Sequence, residues 1–346
     1  MAAAAVNNDV GMAVVGAAGW GKNVVRTFSI ARGCDLKWVC DLNPQLLKAT
    51  AERHPGVRVT TSFDEALADP QVKAVAVAVD VPNHHRLAER ALLSGRHVYV
   101  EKPLTLTSSD ALSLCTLARE RKLTLMVGHL LLYHPAVVLA KQRIDAGELG
   151  DVHYLYSQRV NLGIVRESEN AWWSLAPHDV AVAMYLLGGV PVAVSATGAV
   201  FLQRERQVED IAFASLRFAG GKSAHIHVSW LDPHKRRSLT VVGSKRMLTF
   251  DDTAPDERVK IYDKGAIPTP GHTTYAEGVA VRSGDVVSPA VPNKEPLLEE
   301  CEHFIECVQT GRTPRSDGEQ GLAVVRVLEA GQASIAMGGT PVEIPS

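Results

Sequence analysis

Short apolar runs alternate with helix-period segments over the first 125 or so residues. Residues 12–17 (MAVVGA), 36–41 (LKWVCD), 73–79 (KAVAVAV), 96–102 (RHVYVEK) and 123–129 (LTLMVGH) each read as a strand. Between them, 20–32, 44–53, 63–67, 85–95 and 108–122 read as helices, with Val24, Val25 and Phe28 on one face of the first. Gly33 stops that helix, and Pro44 suits the first turn of the second. The helix at 108–122 opens on a serine or aspartate cap. Strands alternating with helices imply parallel pairing with right-handed crossovers. Near-continuous apolar strands fit a sheet covered on both faces. The expectation is an α/β chain that begins with a doubly wound parallel sheet over residues 1–127.

The rhythm then changes. Residues 151–162 alternate like a long half-exposed strand, and 174–189 form a helix. Strand-like runs follow up to about residue 262, with AGGK (219–222) and VGSK (242–245) as hairpin turns. Residues 266–294 read as a long loop, and two helices close the chain at about 295–310 and 318–337. The second domain, 128–346, is therefore expected to be α+β, an open and mostly antiparallel sheet with helices on one side. The helices within 295–337 are expected to pack back toward the first domain.

Composition narrows the class. A chain of 346 residues suggests about two domains, and 46% hydrophobic residues can fill their cores. A net charge of −2 lacks the basic surplus of a nucleic-acid binder. Five cysteines without a CxxC pair are neither a disulfide framework nor a zinc ribbon, and read as reduced thiols of a cytoplasmic protein. MAAAAVNNDVG does not read as a signal peptide, and no apolar run reaches the roughly 18 residues of a membrane span.

The first strand runs into VVGAAGWGKN. Gly16, Gly19 and Gly21 form GxxGxG between strand and helix, where backbone N–H groups can approach a pyrophosphate. Asp41 ends the second strand, placed to bind both hydroxyls of an adenosine ribose and to repel a 2′-phosphate. The cofactor expectation is NAD ahead of NADP. AGGKS (219–223) ends like a phosphate loop, but Leu216 stands where the first glycine would be, and it lies between strands.

At the end of another buried strand stand Glu101, Lys102 and Pro103, a charged pair locked by a proline. Ligands of open α/β sheets bind at that edge. Lys102 can hydrogen-bond a substrate hydroxyl there, while Glu101 offsets charge or contacts the cofactor; a surface salt bridge is the plain alternative.

The glycine turn, EKP, GH (128–129) and APHD (176–179) together resemble the glucose–fructose oxidoreductase / inositol dehydrogenase / rhizopine catabolism (Gfo/Idh/MocA) family over nearly the whole chain. The resemblance implies a Rossmann domain, then an open-sheet domain, with Lys102 and His178 as catalytic residues. It also implies cofactor contacts at Gly16, Gly19, Trp20, Gly21, Asp41, Pro82, His84, Glu101 and Lys102. GHLLLYHPAV, YSQRVNLGIVR and ENAWWSLAPHD resemble the UDP-N-acetylglucosamine 3-dehydrogenase branch.

Expected substrate contacts are Tyr133, Arg159, Asn161, Arg166, Ser174 and Asp179. Ser174 stands where many family members carry an aspartate, four residues before the histidine, and Asp179 is a partial substitute. Val79-Asp80 replaces the usual Thr-Pro. DPHKRR (232–237) reads as a solvated hairpin or as a diphosphate contact, and His225 and His227 share a strand face without a metal-ligand cluster. The expected reaction is NAD-dependent oxidation of a sugar hydroxyl. A 3-ketosugar reductase, a free-sugar or inositol dehydrogenase, and a cofactor-binding sensor remain open. Apolar alternation in 209–231 suggests a sheet face buried in a homodimer or homotetramer, with no nucleic-acid or membrane partner.

Overall fold

The computed structural model describes residues 9–166, 169–268 and 279–345. The N-terminal alanine run and the middle of the expected 266–294 loop lie outside the described residues. The chain forms two compact units, one of residues 1–133 with 294–325, the other of residues 134–293 with 326–346.

The first unit holds strands β1 (Val10–Val15), β2 (Cys34–Cys40), β3 (Arg58–Thr60), β4 (Ala74–Val77), β5 (His97–Glu101) and β6 (Leu125–Gly128). They pair in parallel in the order β3-β2-β1-β4-β5-β6. That is one strand more than the sequence predicts, because the three residues of β3 are too few to show a period. Helices α1 (Gly21–Phe28), α2 (Pro44–Arg53), α3 (Phe63–Ala68), α4 (His84–Leu93) and α5 (Ser108–Arg121) connect them. Asn43 caps α2 by accepting from the N–H groups of Gln45 and Leu46. The cap of α5 is Thr107, not a serine or aspartate. Strand order reverses between β1 and β4, the switch point at which such sheets take ligands. Phe28, Tyr99 and Phe304 meet edge to face in the core, with ring centroids 5.8 to 6.3 Å apart. Beyond β6, the Ser316 carbonyl accepts the Val127 N–H at 2.8 Å and covers that edge.

The second unit starts with α6 (Pro135–Asp145), which the sequence reading misses because its cap is a histidine. Next come β7 (Val152–Val160), α7 (Ala171–Leu187), β8 (Ala193–Ala199), β9 (Ile211–Arg217), β10 (Ser223–Ser229), β11 (Arg236–Gly243), β12 (Met247–Asp251), β13 (Val259–Pro268) and β14 (Val279–Val287). Helices α8 (Pro296–Thr310) and α9 (Gly318–Ala336) and a short β15 (Val342–Glu343) close the chain. The nine strands order β14-β13-β12-β11-β7-β10-β9-β8-β15. β7 and β10 run parallel, and every other pair is antiparallel. Two expectations change. β14 occupies part of the predicted loop, and residues 232–237 are not a hairpin, since β7 lies between β10 and β11.

One face of this sheet is covered. Ala212, Ala214 and Leu216 of β9 and Ala224, Ile226 and Val228 of β10 are buried, and α7 packs on both strands. Trp172 of α7 donates to the Leu328 carbonyl at 2.9 Å, and Gly331 leaves room for its ring, since a Cβ there would lie 2.5 Å away. The opposite face presents Tyr154, Tyr156 and Phe213, all exposed.

Candidate functional site

The turn after β1 is shaped by close approach. Gly16 has φ +97°, and a Cβ there would sit 2.3 Å from the Ala78 carbonyl oxygen. At Gly21 a Cβ would meet the Gly16 carbonyl oxygen at 2.4 Å. Gly19, at φ +51°, has open space around it, where a ligand can approach the backbone. No side chain caps the N-terminus of α1, which leaves its partial positive charge available to an anion. A cleft of about 350 Å³ beside the turn is lined by Ala17, Gly19, Lys22, Leu46, Thr50 and Arg53. These features fit a dinucleotide.

Asp41 stands at the end of β2. Its Oδ2 accepts the Ala17 N–H at 2.7 Å and its Oδ1 accepts the Asn43 N–H at 2.9 Å. The carboxylate is thus fixed against the glycine turn, and each oxygen keeps a further lone pair for a ribose hydroxyl. The half-exposed indole of Trp20 donates to Glu101 Oε1 at 2.9 Å and ties the turn to the end of β5.

Lys102 follows β5, half-buried, with Pro103 buried behind it. Pro82 sits in the single 3₁₀ turn Val81–Asn83 after β4. His84 departs from its expected role. It is fully buried, with Nδ1 2.9 Å from the Pro103 carbonyl oxygen and Nε2 2.9 Å from that of Val79. Both ring nitrogens face backbone, so the imidazole braces the segment carrying Lys102 instead of reaching a cofactor. Burial holds its pKa below the usual histidine value.

Two further groups were not singled out from sequence. His129, 1% exposed, follows β6, and neither ring nitrogen has a hydrogen-bond partner among the described residues. Burial, then the Lys102 ammonium, push its pKa down to about 3, so it is neutral. Glu300 of α8 is fully buried against Tyr99. GH had marked the first position only as a motif, and the signal for the second was its helical spacing with Leu297 and Phe304, which puts one acid on the apolar face of α8.

Tyr133 is also corrected. Expected at the substrate, it is 4% exposed, shares a hydrogen bond with Ser316 Oγ at 2.9 Å and lies under the Arg315 guanidinium. It anchors the segment after α8 within the first unit.

In the second unit, His178 lies half-buried on α7, directly after Pro177, whose missing N–H leaves the Trp173 carbonyl outside the helical ladder. Arg159, at the end of β7, donates through Nε to Asp179 Oδ2 at 2.6 Å, and both side chains are nearly buried. This pair fixes the α7 turn bearing His178 against β7. Asp179 is therefore engaged by an arginine rather than free to stand in for the carboxylate absent at Ser174. Ser174 has a carboxylate partner of its own in Glu169. Ser174 Oγ donates to Glu169 Oε1 at 3.3 Å, and Arg166 Nε lies 3.0 Å from the same oxygen. Asn161 continues β7, its N–H donating to the Ser229 carbonyl at 3.1 Å. In β11, Arg236 and Arg237 pair with Val160 and Arg159, which sets the exposed run His234–Arg237 at the same sheet end as Asn161. No cluster able to hold a metal occurs among the described residues.

Residues 10–129 match the model of an oxidoreductase family with an NAD-binding Rossmann fold, and residues 137–249 match that of the GFO/IDH/MocA C-terminal domain. The UDP-N-acetylglucosamine 3-dehydrogenase of Acidithiobacillus ferrooxidans is 28% identical over 78% of this chain and 80% of its own. The scyllo-inositol 2-dehydrogenase (NAD(+)) of Bacillus subtilis is 28% identical over 72% and 71%. Among solved structures, GenD2 from gentamicin A biosynthesis, in complex with NAD, superposes with a TM-score of 0.81 at 27% identity, covering 98% of this chain and 97% of its own.

Proposed function

The chain belongs to the Gfo/Idh/MocA family of NAD-binding sugar and polyol oxidoreductases, and on that premise we propose that it oxidises a secondary hydroxyl, at C3, of a nucleotide sugar such as UDP-N-acetylglucosamine or its uronic acid. Bound NAD supplies the hydride acceptor. Asp41 receives the adenosine ribose hydroxyls, and the turn at Gly16, Gly19 and Gly21 receives the pyrophosphate. The Lys102 ammonium donates to the substrate oxygen as it gains negative charge. His178 accepts the hydroxyl proton, a role suited to an imidazole near neutral pH.

The cationic sheet end carries the choice of substrate. Lys235 and Arg236 are exposed beside Asn161, and a diphosphate uses such charges where a free polyol does not. The experiment is NADH production from a panel of UDP-sugars, inositols and free aldoses. Turnover of a UDP-sugar, with KM raised by Lys235→Ala/Arg236→Ala and kcat kept, supports the assignment. Turnover of inositols or aldoses alone overturns it. We further assign the exposed sheet face to a homodimer or homotetramer contact. No helix among the described residues is long and apolar enough to cross a membrane, and with five free cysteines a cytoplasmic location is the reading we adopt.

A further inference from the structure

Beneath Glu101 lies a buried cluster that the reaction as written does not use. The Tyr99 hydroxyl sits 3.1 Å from Glu101 Oε1 and 3.1 Å from Glu300 Oε2. Tyr99 and Glu300 are both fully buried. Room for the cluster is made by Gly128, which pairs with Glu101 across β5 and β6. A Cβ at 128 would stand 2.6 Å from the Tyr99 hydroxyl and 3.0 Å from Glu101 Oε2.

The hydrogen count decides the state of this cluster. One phenol carries one proton, and ionised carboxylates only accept. With the hydroxyl donating to one carboxylate, the other contact needs a proton on its own carboxyl. Glu101 has reasons to stay ionised. Burial raises its pKa, and against that it accepts from the Trp20 indole at 2.9 Å and from the Lys102 N–H at 3.3 Å, while the Lys102 ammonium favours its anion. Glu300 has none of these. Its Oε1 has no hydrogen-bond partner among the described residues. Burial, then the charge of Glu101, push its pKa far above the usual carboxylate range. The remaining neighbours do not change the balance. Cys301 is a buried thiol whose pKa burial also raises. Arg26 is committed to Glu295, the exposed residue that precedes α8.

We infer that Glu300 is held as a neutral carboxylic acid donating to the Tyr99 oxygen, that Tyr99 donates to Glu101, and that this chain positions Glu101 as the fixed anion between Trp20 and Lys102. Glu300 is then a positioning residue for the cofactor turn and the lysine, acting through Tyr99. The positioning role rests on the function proposed for Lys102; the proton on Glu300 does not.

The test is infrared difference spectroscopy in deuterated buffer at neutral pH, read beside NAD titration. Wild type minus Glu300→Gln shows a protonated-carboxyl C=O band. The amide that Glu300→Gln introduces still donates to Tyr99, so NAD affinity and kcat of this variant stay within about threefold of wild type. Tyr99→Phe removes the middle of the chain: the carboxyl band shifts, and NAD affinity falls by about tenfold. Absence of the band in wild type, or its persistence unchanged in Glu300→Gln, overturns the protonation. Equal loss of NAD affinity in Glu300→Gln and Tyr99→Phe overturns the donor direction. A fully active Lys102→Ala enzyme that keeps the band would remove the lysine's role and leave the buried acid standing.

Discussion

The indole N–H of Trp20 donates to Glu101 Oε1 across 2.9 Å, joining the glycine turn of β1 to the last residue of β5. Two strand ends on either side of the switch point are thereby held in one geometry. Trp20→Phe keeps the ring and deletes the donor. NAD affinity is expected to fall by up to about tenfold, the worth of one hydrogen bond to a charged acceptor, with little change in melting temperature. Fluorescence titration with NADH measures it; unchanged affinity would show that the tie does not matter to binding.

Lys102→Ala should reduce turnover by about two to three orders of magnitude, the usual effect of deleting a group that stabilises developing charge. His178→Ala should cost about 10²- to 10⁴-fold, as for a general base. Both variants should bind NAD within a few-fold of wild type. A near-native rate in either removes that residue from the chemistry.

Asp41→Asn keeps an acceptor for the Ala17 N–H and removes the negative charge. The preference for NAD over NADP should then shrink by about 10- to 100-fold, because the repulsion of a 2′-phosphate is lost. Paired kcat/KM measurements with the two cofactors decide it, and an unchanged ratio contradicts the ribose assignment.

His134 caps α6 in an unusual way. Its Nδ1 accepts the Ala136 N–H at 3.1 Å, so the proton lies on Nε2, 3.3 Å from Asp252 Oδ1. This hydrogen bond is the main cause that lowers the Asp252 pKa; burial opposes it, and the Arg237 and Arg159 charges add to it. The unfolded carboxyl therefore binds its proton at higher pH than the folded one. The stabilisation is present at neutral pH and is lost as pH falls below about 4, the ordinary aspartate value. Denaturant midpoints should drop over that range in wild type and drop less steeply in Asp252→Asn. His134→Ala should cost about 1 kcal/mol at neutral pH through the cap.

The exposed sheet face carries Tyr154, Tyr156 and Phe213 at 38%, 44% and 52% exposure, an aromatic cluster that a subunit contact would cover. Light scattering is expected to find a dimer or tetramer, and Phe213→Asp with Tyr156→Glu to shift it toward monomer. A wild-type monomer at micromolar concentration excludes the assembly.

Periodicity alone determined most of the parallel sheet, since β1 and β4 are buried on both faces and read as unbroken apolar runs. The glycine turn was equally legible, because the same glycines that mark it are required by close backbone approach at Gly16 and Gly21. Elements without a period or a standard cap were not legible, as β3 and α6 show.

What only the tertiary structure decided is the partner of each polar side chain. Tyr133 and His84 read as ligand contacts from the positions they hold in the family resemblance, yet Ser316 takes the phenol and the Val79 and Pro103 carbonyls face the imidazole. Asp179 belongs to Arg159, Ser174 to Glu169, and Glu300 to Tyr99, 201 residues away in the chain. Hydrophobic burial is set by local spacing and leaves its trace in sequence. A hydrogen bond depends on direction and a distance of about 3 Å, and across such separations only the folded backbone supplies both.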